Sequence, residues 1–313
     1  MDPSTTTKAW TVAEMTARVV RYADLQPCYN AFVDCRTPGS EAKENFTIIG
    51  PGVSENPAQH VHIAEPHGFN IGGARQPPHC VNSQHSHDTA EVFVAHSGAW
   101  RFDLGEQGDD AQVELYPGDT ISLPTKTFRG FTNIGNDSGF LWAVLGQDNP
   151  GRVTWAPQVF EMARDFGLVL LDGGRLVDTA AGEALPSNSR PMLPTSPEDA
   201  AKLHRMTPHE AALLVVRAAD VSAAVIGLDA PLAWPHGFTL DRVVLAAGSR
   251  DVELPPAGGV DVLFVHAGDV TLVWDNGSLD FGAGDTITVP NDVARRWTSL
   301  GGATLFRVRG AAN

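Results

Sequence analysis

Residues 78–98 read PHCVNSQHSHDTAEVFVAHSG, and this stretch decides how the rest of the chain is interpreted. His85 and His87 are two positions apart, so on a β-strand their side chains project from the same face. Glu91 follows at an even offset and can return to that face across a short bend or bulge. Two imidazoles and a carboxylate suit Fe(II), Mn, Ni, Co or Zn, and three protein ligands leave coordination positions open. The stretch therefore predicts a metal site at His85, His87 and Glu91.

Segments of the first half recur in the same order in the second half. The matched pairs are PHGF at 66–69 and 235–238, VFVAHSG at 92–98 and VLFVHAG at 262–268, and PGDTISLP at 117–124 and AGDTITVP at 283–290. Repetition of this kind indicates two copies of one domain. The positions that match the three ligands are Pro255, Ala257 and Asp261, so the second copy is predicted to hold no metal.

The ligand stretch resembles the first motif of the cupin superfamily, which reads H-x-H, three residues, Glu, six residues, Gly. Residues 118–133 (GDTISLPTKTFRGFTN) resemble the second motif, with Gly118, Pro124 and Asn133 at matching positions. The resemblance covers both halves. It implies an all-β fold of two tandem cupin barrels (double-stranded β-helices, or jelly-rolls), with an N-terminal helical arm and a helical, proline-rich linker.

Arg129 stands where the second cupin motif normally supplies a further histidine. A guanidinium stays protonated and cannot ligate a metal. One interpretation is that Arg129 points into the barrel and pairs with a carboxylate or enolate oxygen of the substrate. The other is that it is structural, because the ligand-free copy retains an arginine, Arg295, at the same position.

The remaining histidines divide by whether they recur. His67 and His96 recur as His236 and His266 in the copy without ligands, which favours a structural role. His60, His62 and His79 have no counterpart, and His62 is the preferred candidate for an additional ligand or an acid/base. Cys80 is expected to be a buried, inert thiol. The side chains expected to line a pocket are Gln84, Phe93, Phe128, Phe131 and Trp142.

The predicted boundaries follow local sequence signals. Residues 1–40 form an arm, in which a capping box at Thr11 opens a helix through about Leu25. Residues 41–150 form the metal-binding barrel. Residues 151–210 contain a helix from Pro157, stopped at Gly167, and a proline-rich linker with a short helix after Ser196. Residues 211–313 form the metal-free barrel, with strand-like sequence resuming at Ala211.

Composition narrows the class of protein. The formal net charge of −15 argues against a nucleic-acid partner, because phosphate binding requires clustered basic residues. Three cysteines without a C-x-x-C motif favour a reducing compartment. The N-terminus has no basic-then-apolar pattern and no long apolar run occurs, so we expect a cytoplasmic protein without membrane association.

The resemblance implies a function as well as a fold. Two-barrel cupins with an iron site include gentisate-type and related ring-cleaving dioxygenases. We therefore expect a dioxygenase that uses Fe(II), or otherwise Mn, Ni, Co or Zn, and cleaves a C–C bond of a catechol, hydroxy-aromatic acid or β-diketone. Its partners would be that substrate and O2. The alternatives are a redox-neutral metal-dependent isomerase or lyase and a non-catalytic small-molecule-binding cupin. A homodimer or higher homo-oligomer is expected, with the arm covering a barrel edge.

Overall fold

The computed structural model describes residues 8–220, 224–226, 232, 236–254 and 259–310. The chain separates into two compact units. Unit A contains residues 26–220 and His236, and unit B contains the described residues up to 25 and from 224 onward, apart from His236. The predicted arm at 1–40 is thus divided between the units after Leu25.

The elements of the described residues are as follows in chain order. The N-terminal segment has α1 (Val12–Thr16), β1 (Val19–Val20) and a 3-10 helix (Tyr22–Asp24). Unit A continues with β2 (Glu44–Ile49), β3 (Val61–Ile63), β4 (Phe69–Gln76), β5 (Val81–His87), β6 (Glu91–Ser97), β7 (Trp100–Leu104), β8 (Ala111–Leu115), β9 (Thr120–Leu123), β10 (Arg129–Asn133), β11 (Gly139–Gly146), β12 (Val153–Trp155), α2 (Pro157–Asp165), β13 (Leu168–Leu170), β14 (Leu176–Asp178), α3 (Pro197–Ala200), α4 (Pro208–Leu213) and β15 (Val215–Val216). Unit B adds β16 (Ala224–Ile226), β17 (Phe238–Leu245), β18 (Ser249–Glu253), β19 (Asp261–Gly268), β20 (Val270–Trp274), β21 (Gly277–Phe281), β22 (Thr286–Val289), β23 (Arg295–Ser299) and β24 (Ala303–Gly310).

The barrel of unit A is built on two sheets, and β13 and β14 pair separately. One has the strand order β15-β9-β6-β11-β4-β2-β3 and the other the order β12-β5-β10-β7-β8. Alternate residues of both sheets face a shared core, to which Phe93 and Leu141 contribute from the first sheet and Phe102 and Phe131 from the second. The all-β fold is confirmed, and the ligand-bearing strands β5 and β6 belong to different sheets.

Unit B repeats this plan. Its sheets have the orders β1-β22-β19-β24-β17-β16 and β18-β23-β20-β21 within the described residues. Its core contains Trp274, Trp297 and Leu305 together with Met15 of α1. The N-terminal helix therefore completes the core of the unit that carries the second sequence repeat.

Two helix predictions need correction. The N-terminal helix has the predicted capping box but ends at Thr16, not near Leu25, because the β-branched pair Val19 and Val20 forms a strand against β22. Strand-like sequence was expected from Ala211, but this residue lies in α4, which a second capping box at Thr207 and Glu210 initiates. The helices predicted at Pro157 and after Ser196 are confirmed.

Both units receive a similar short arm, a repeat that the sequence predictions missed. In unit B, α1 leads into β1, whose Val19 lies opposite Ile287 of β22. In unit A, α4 leads into β15, whose Val215 lies opposite Ile121 of β9. The arginine after each arm strand binds an aspartate, Arg21 with Asp285 in unit B and Arg217 with Asp119 in unit A. Among the described helices, none combines the length and apolar character required to cross a bilayer.

Candidate metal site and cavity

The three predicted ligands come together in unit A. His85 and His87 lie near the end of β5, and Glu91 begins β6 after a three-residue turn. All three are buried, and one potential ligand atom from each lies within 4.8 Å of the others. The period of two along β5 and the short turn produce the grouping that the spacing predicted. Their role as metal ligands remains a prediction.

Hydrogen bonding fixes the tautomer of one of the two histidines. Nδ1 of His85 lies 2.7 Å from the carbonyl oxygen of Ser83. A carbonyl only accepts, so Nδ1 carries the proton and Nε2 keeps its lone pair. Nδ1 of His87 is buried without a hydrogen-bond partner among the described residues, and Nε2 lies 3.5 Å from Oε2 of Glu91. These residues fit a divalent metal ion.

The electrostatic environment keeps both imidazoles neutral. Burial lowers the pKa of His85 and the pKa of His87 well below the ordinary value, and the nearby Arg129 guanidinium lowers both further. Neutral imidazoles are the form that binds metals. Burial raises the pKa of Glu91, and Arg129 opposes this rise by stabilising the carboxylate.

Arg129 is held by Glu91. Its side chain is buried, and Nη2 donates to Oε2 of Glu91 in a short hydrogen-bonded ion pair. Arg129 lies opposite His85 between β10 and β5, and its Nη1 is 3.4 Å from the carbonyl oxygen of His85. Arg129 is not among the residues that line the cavity described below. This geometry favours the structural interpretation over that of a substrate anchor.

The same ion pair exists in unit B. Arg295 donates to Oδ2 of Asp261, which also accepts from Arg307 at 2.6 Å. The strand pairing is equivalent, because Glu91 lies opposite Leu123 and Asp261 lies opposite Val289. Pro255 and Ala257, the positions that match the histidines, lie outside the described residues. The carboxylate–guanidinium pair is therefore a feature of both barrels.

A cavity of about 70 Å³ adjoins the three ligands in unit A. Its walls are mostly apolar, and Phe46, Phe93 and Phe131 contribute to them. Two buried oxygens in the wall, Oε1 of Gln59 and Oδ1 of Asn82, have no hydrogen-bond partner in the described part of the chain. Such groups are available to a bound molecule.

Small or uncharged side chains leave room for this cavity. Gly72 lies opposite Ala143, and Leu145 lies opposite Glu91 in the sheet of unit A. At the equivalent sheet positions unit B has larger, charged residues: Asp241 opposite Arg307, and Arg309 opposite Asp261. These unit B residues pair with one another, Arg309 with Asp241 and Arg307 with Asp261. Charged side chains thus stand in unit B where unit A has an open, apolar wall.

Trp155 contacts His85 and also lines the cavity, which the sequence did not reveal. Trp155 lies opposite His85 between β12 and β5, with ring centroids 5.3 Å apart. Its indole N–H donates to Oε1 of Glu55 at 2.6 Å. A fully buried ion pair between Lys43 and Asp34 lies nearby, and Asp34 accepts from the backbone N–H of Ser83 at 3.0 Å.

The other predicted site residues are dispersed. His62 lies on β3, contacts the ring of His60 at 4.5 Å, and accepts from the N–H of Gln26 at 3.2 Å; it does not line the cavity. Exposed His79 has a φ of 64° and also lies away from the cavity wall.

Of the five expected lining residues, Phe93 and Phe131 line the cavity, whereas Gln84, Phe128 and Trp142 do not. The amide of Gln84 instead donates to the carbonyl oxygens of Asp103 and Gly105. Cys80 is buried outside the cavity wall, and burial raises the pKa of its thiol.

The recurring histidines make structural contacts. Nδ1 of His67 lies 2.7 Å from the carbonyl oxygen of Glu65, and His236 forms a hydrogen bond of 2.6 Å with the hydroxyl of Ser122. His96 meets the edge of Phe140, and His266 meets Phe306 in the same way in unit B.

Solved structures with the same arrangement of strands are two-barrel cupins. The chain is similar to an oxalate decarboxylase (TM-score 0.56, 12% identity, 97% of this chain and 79% of that chain). It is also similar to vicilin from Capsicum annuum (TM-score 0.53, 13% identity, 93% and 85%). The chain has the bicupin fold.

A weaker similarity links this bicupin to salicylate 1,2-dioxygenase from Pseudoaminobacter salicylatoxidans (TM-score 0.47, 16% identity, 78% of this chain and 72% of that chain). A scan against protein-family models gave no match, and neither did a search of curated proteins. At such low identities the similar structures establish the bicupin fold and leave its chemistry to be argued from the site.

Proposed function

We propose that this bicupin is a metal-dependent dioxygenase whose active site is the cavity of unit A. The observation that carries the proposal is the buried cluster of His85, His87 and Glu91 beside a mostly apolar cavity. One potential ligand atom from each residue lies within 4.8 Å of the other two. Two histidines and one carboxylate with open positions are the ligand set of non-haem iron oxygenases.

The residues of the chain have separate tasks in this proposal. Ser83 holds His85 in one tautomer, and burial keeps both imidazoles unprotonated. A bound Fe(II), the first choice before Mn, Ni, Co and Zn, would supply open positions at which substrate oxygens and O2 meet. The mostly apolar walls offer a surface to the body of a substrate, while the oxygens of Gln59 and Asn82 can accept hydrogen bonds that orient it.

The cavity favours a small substrate that chelates through two oxygens. A catechol, a hydroxy-aromatic acid or a β-diketone combines such oxygens with an otherwise flat, apolar body. The aromatic side chains of Phe93 and Phe131 match that body. Cleavage of a C–C bond is the proposed reaction.

A second candidate is non-catalytic binding of a small molecule. It is favoured by the ion pair between Arg129 and Glu91, which satisfies the buried carboxylate without a metal. A redox-neutral isomerase or lyase would use the same ligands and differs in not consuming O2.

Elemental analysis of protein purified without chelator, combined with oxygen-electrode measurements under Fe(II), distinguishes these functions. The substrate panel contains catechols, hydroxybenzoates and β-diketones. The expected result is about one metal per chain and substrate-dependent O2 uptake that His85→Ala and His87→Ala abolish. The double variant His60→Ala/His62→Ala is the control, because neither histidine lines the cavity.

Each outcome has one meaning. Metal without O2 uptake would direct the proposal to redox-neutral chemistry. Absence of metal from wild-type protein, even after Fe(II) loading, would overturn the enzyme proposal in favour of a binding protein. Loss of O2 uptake in the His60/His62 variant, with its fold and metal content unchanged, would assign a catalytic role to that histidine pair.

A further inference from the structure

A buried carboxylate requires a positive partner, and both barrels meet this need in the same way. Glu91 in unit A and Asp261 in unit B begin equivalent strands, and each accepts a hydrogen bond from the arginine that begins β10 or β23. Arg129 and Arg295 share a further detail, since Nε of each is buried without a hydrogen-bond partner in the described part of the chain. The two arginines therefore occupy the same structural position.

In unit A this position coincides with the candidate metal site. The guanidinium of Arg129 contacts Glu91 and lies 3.4 Å from the carbonyl oxygen of His85. A metal bound by Glu91 and the histidines would lie beside a fixed positive charge in a buried environment, where Coulomb repulsion is weakly screened. The metal and the guanidinium of Arg129 would thus both bind the carboxylate of Glu91.

We propose that Arg129 is the resident cation of the site and competes with a divalent metal for Glu91, so that it sets the metal affinity. This inference rests on the proposed function, because it concerns the same three ligands. Arg129 is then a positioning residue. It keeps Glu91 satisfied in the metal-free protein, and the metal is taken up reversibly at the cost of weakening the ion pair.

Unit B contains the equivalent ion pair, Asp261 with Arg295, without histidines at the matching sequence positions. Asp261 is paired with Arg295 and Arg307, and its side chain is fully buried. The pair therefore needs no metal to persist in a barrel interior. In unit A, by contrast, the carboxylate oxygen that Arg129 binds, Oε2 of Glu91, also lies 3.5 Å from Nε2 of His87, so a metal held by Glu91 and the histidines would meet the guanidinium at this oxygen.

The test compares a neutral with a charged replacement. Co(II) is titrated into the metal-free forms of wild type, Arg129→Gln and Arg129→Lys by calorimetry and visible absorption. The same three titrations in the His60→Ala/His62→Ala background control for binding at that histidine pair. Arg129→Gln removes the charge and should bind Co(II) at least about tenfold more tightly than wild type. Arg129→Lys keeps the charge and should stay within about twofold.

Thermal unfolding supplies a readout that needs no activity. Without metal, Arg129→Gln should lower the unfolding temperature, because Glu91 loses its partner, and Co(II) should restore it. Arg295→Gln is the matched control in unit B and should also lower the unfolding temperature. Co(II) should raise the unfolding temperature of this variant only as much as it raises that of wild type.

The outcomes separate the inference from the proposed function. Equal Co(II) affinity in wild type and Arg129→Gln would overturn the inference and leave the metal site intact. Binding in Arg129→Gln alone would support the inference and overturn a metal-dependent function of the natural protein, whereas binding in neither would overturn both. If Arg129→Gln does not fold, Arg129→Lys decides: a gain of about tenfold in affinity contradicts the inference.

Discussion

The indole of Trp155 packs against the imidazole of His85, with ring centroids 5.3 Å apart and an interplanar angle of 47°. The indole N–H is itself bound to Glu55, whose other carboxyl oxygen accepts from the backbone N–H of Val33 at 2.7 Å. A candidate metal ligand is therefore held on one side by a ring that a buried carboxyl group anchors. Because Trp155 contacts His85 and also lines the cavity, its substitution should affect the site while both histidines are retained.

Replacing Trp155 with Phe should lower both stability and metal affinity. Phe keeps much of the ring contact with His85 but removes the hydrogen bond to Glu55, which costs about 1–3 kcal/mol of unfolding free energy because one carboxyl oxygen loses its donor. Trp297→Phe is the control, since the buried Nε1 of Trp297 has no partner among the described residues. Equal losses in denaturant unfolding would contradict a role for the hydrogen bond.

Glu55 should make the protein less stable as the pH rises. Burial raises the pKa of Glu55 to about 8 from an ordinary value of 4.5. Between these values the folded state retains a proton that the unfolded state has lost, so the free energy of unfolding falls by up to about 1.4 kcal/mol per pH unit. The stabilising contribution is complete below pH 4.5 and is lost as the pH approaches 8.

Glu55→Gln should flatten this pH dependence, because an amide does not titrate in that range. Its absolute stability should be lower, since Gln can accept from only one of the two donors, the indole of Trp155 and the N–H of Val33. Denaturant unfolding at several pH values from 5 to 8.5 gives the slope. An unchanged slope in the variant would assign the pH dependence to other groups.

Glu91→Gln should reduce metal affinity while preserving the fold. The amide oxygen can still accept from Arg129, so the loss of the charged ligand is separated from the loss of the internal hydrogen bond. We expect a decrease in metal affinity of at least about tenfold. Titration with Co(II) measures it, and circular dichroism checks the fold. Undiminished affinity would remove Glu91 from the ligand set.

Ala143→Phe should block the cavity and leave the metal site intact. Ala143 lines the cavity, and its small side chain keeps open a wall where unit B has Arg307 at the equivalent position. Substrate-dependent turnover should fall by about tenfold or more, with the metal content unchanged. Ala143→Ser is the matched small variant and should remain active. Normal turnover in Ala143→Phe would place substrate binding elsewhere.

The sequence predicted those features that depend on short stretches of chain. The spacing of His85, His87 and Glu91 places them together through the period of a strand and one short turn, and helix α2 follows from Pro157 and Gly167. The N-terminal helix was predicted too long because β-branched Val19 and Val20 find a partner strand in unit B. Strand pairing over such a distance overrides local helical periodicity.

Some site features could have been found only by comparing distant segments. The arms share the pattern T-x-x-E followed by V-V-R, at residues 11–21 and 207–217, so a search for shorter repeats would have predicted their common role. His62 was one of three histidines, with His60 and His79, considered because they lack a counterpart in the second half, but lack of repetition carries no information about position. The structure places it beside His60 and Gln26 instead.

The sequence by itself determined two cupin barrels, one of which brings two histidines and a glutamate together, because these features follow from repeated motifs and local backbone geometry. Only the tertiary structure decided that Arg129 faces Glu91, that Trp155 supports His85, and that small residues open a cavity beside them. These relationships join residues far apart in the chain, 38 positions for Arg129 and Glu91. Folding brings such groups together, and a buried charge needs an oppositely charged partner because it has lost its hydration.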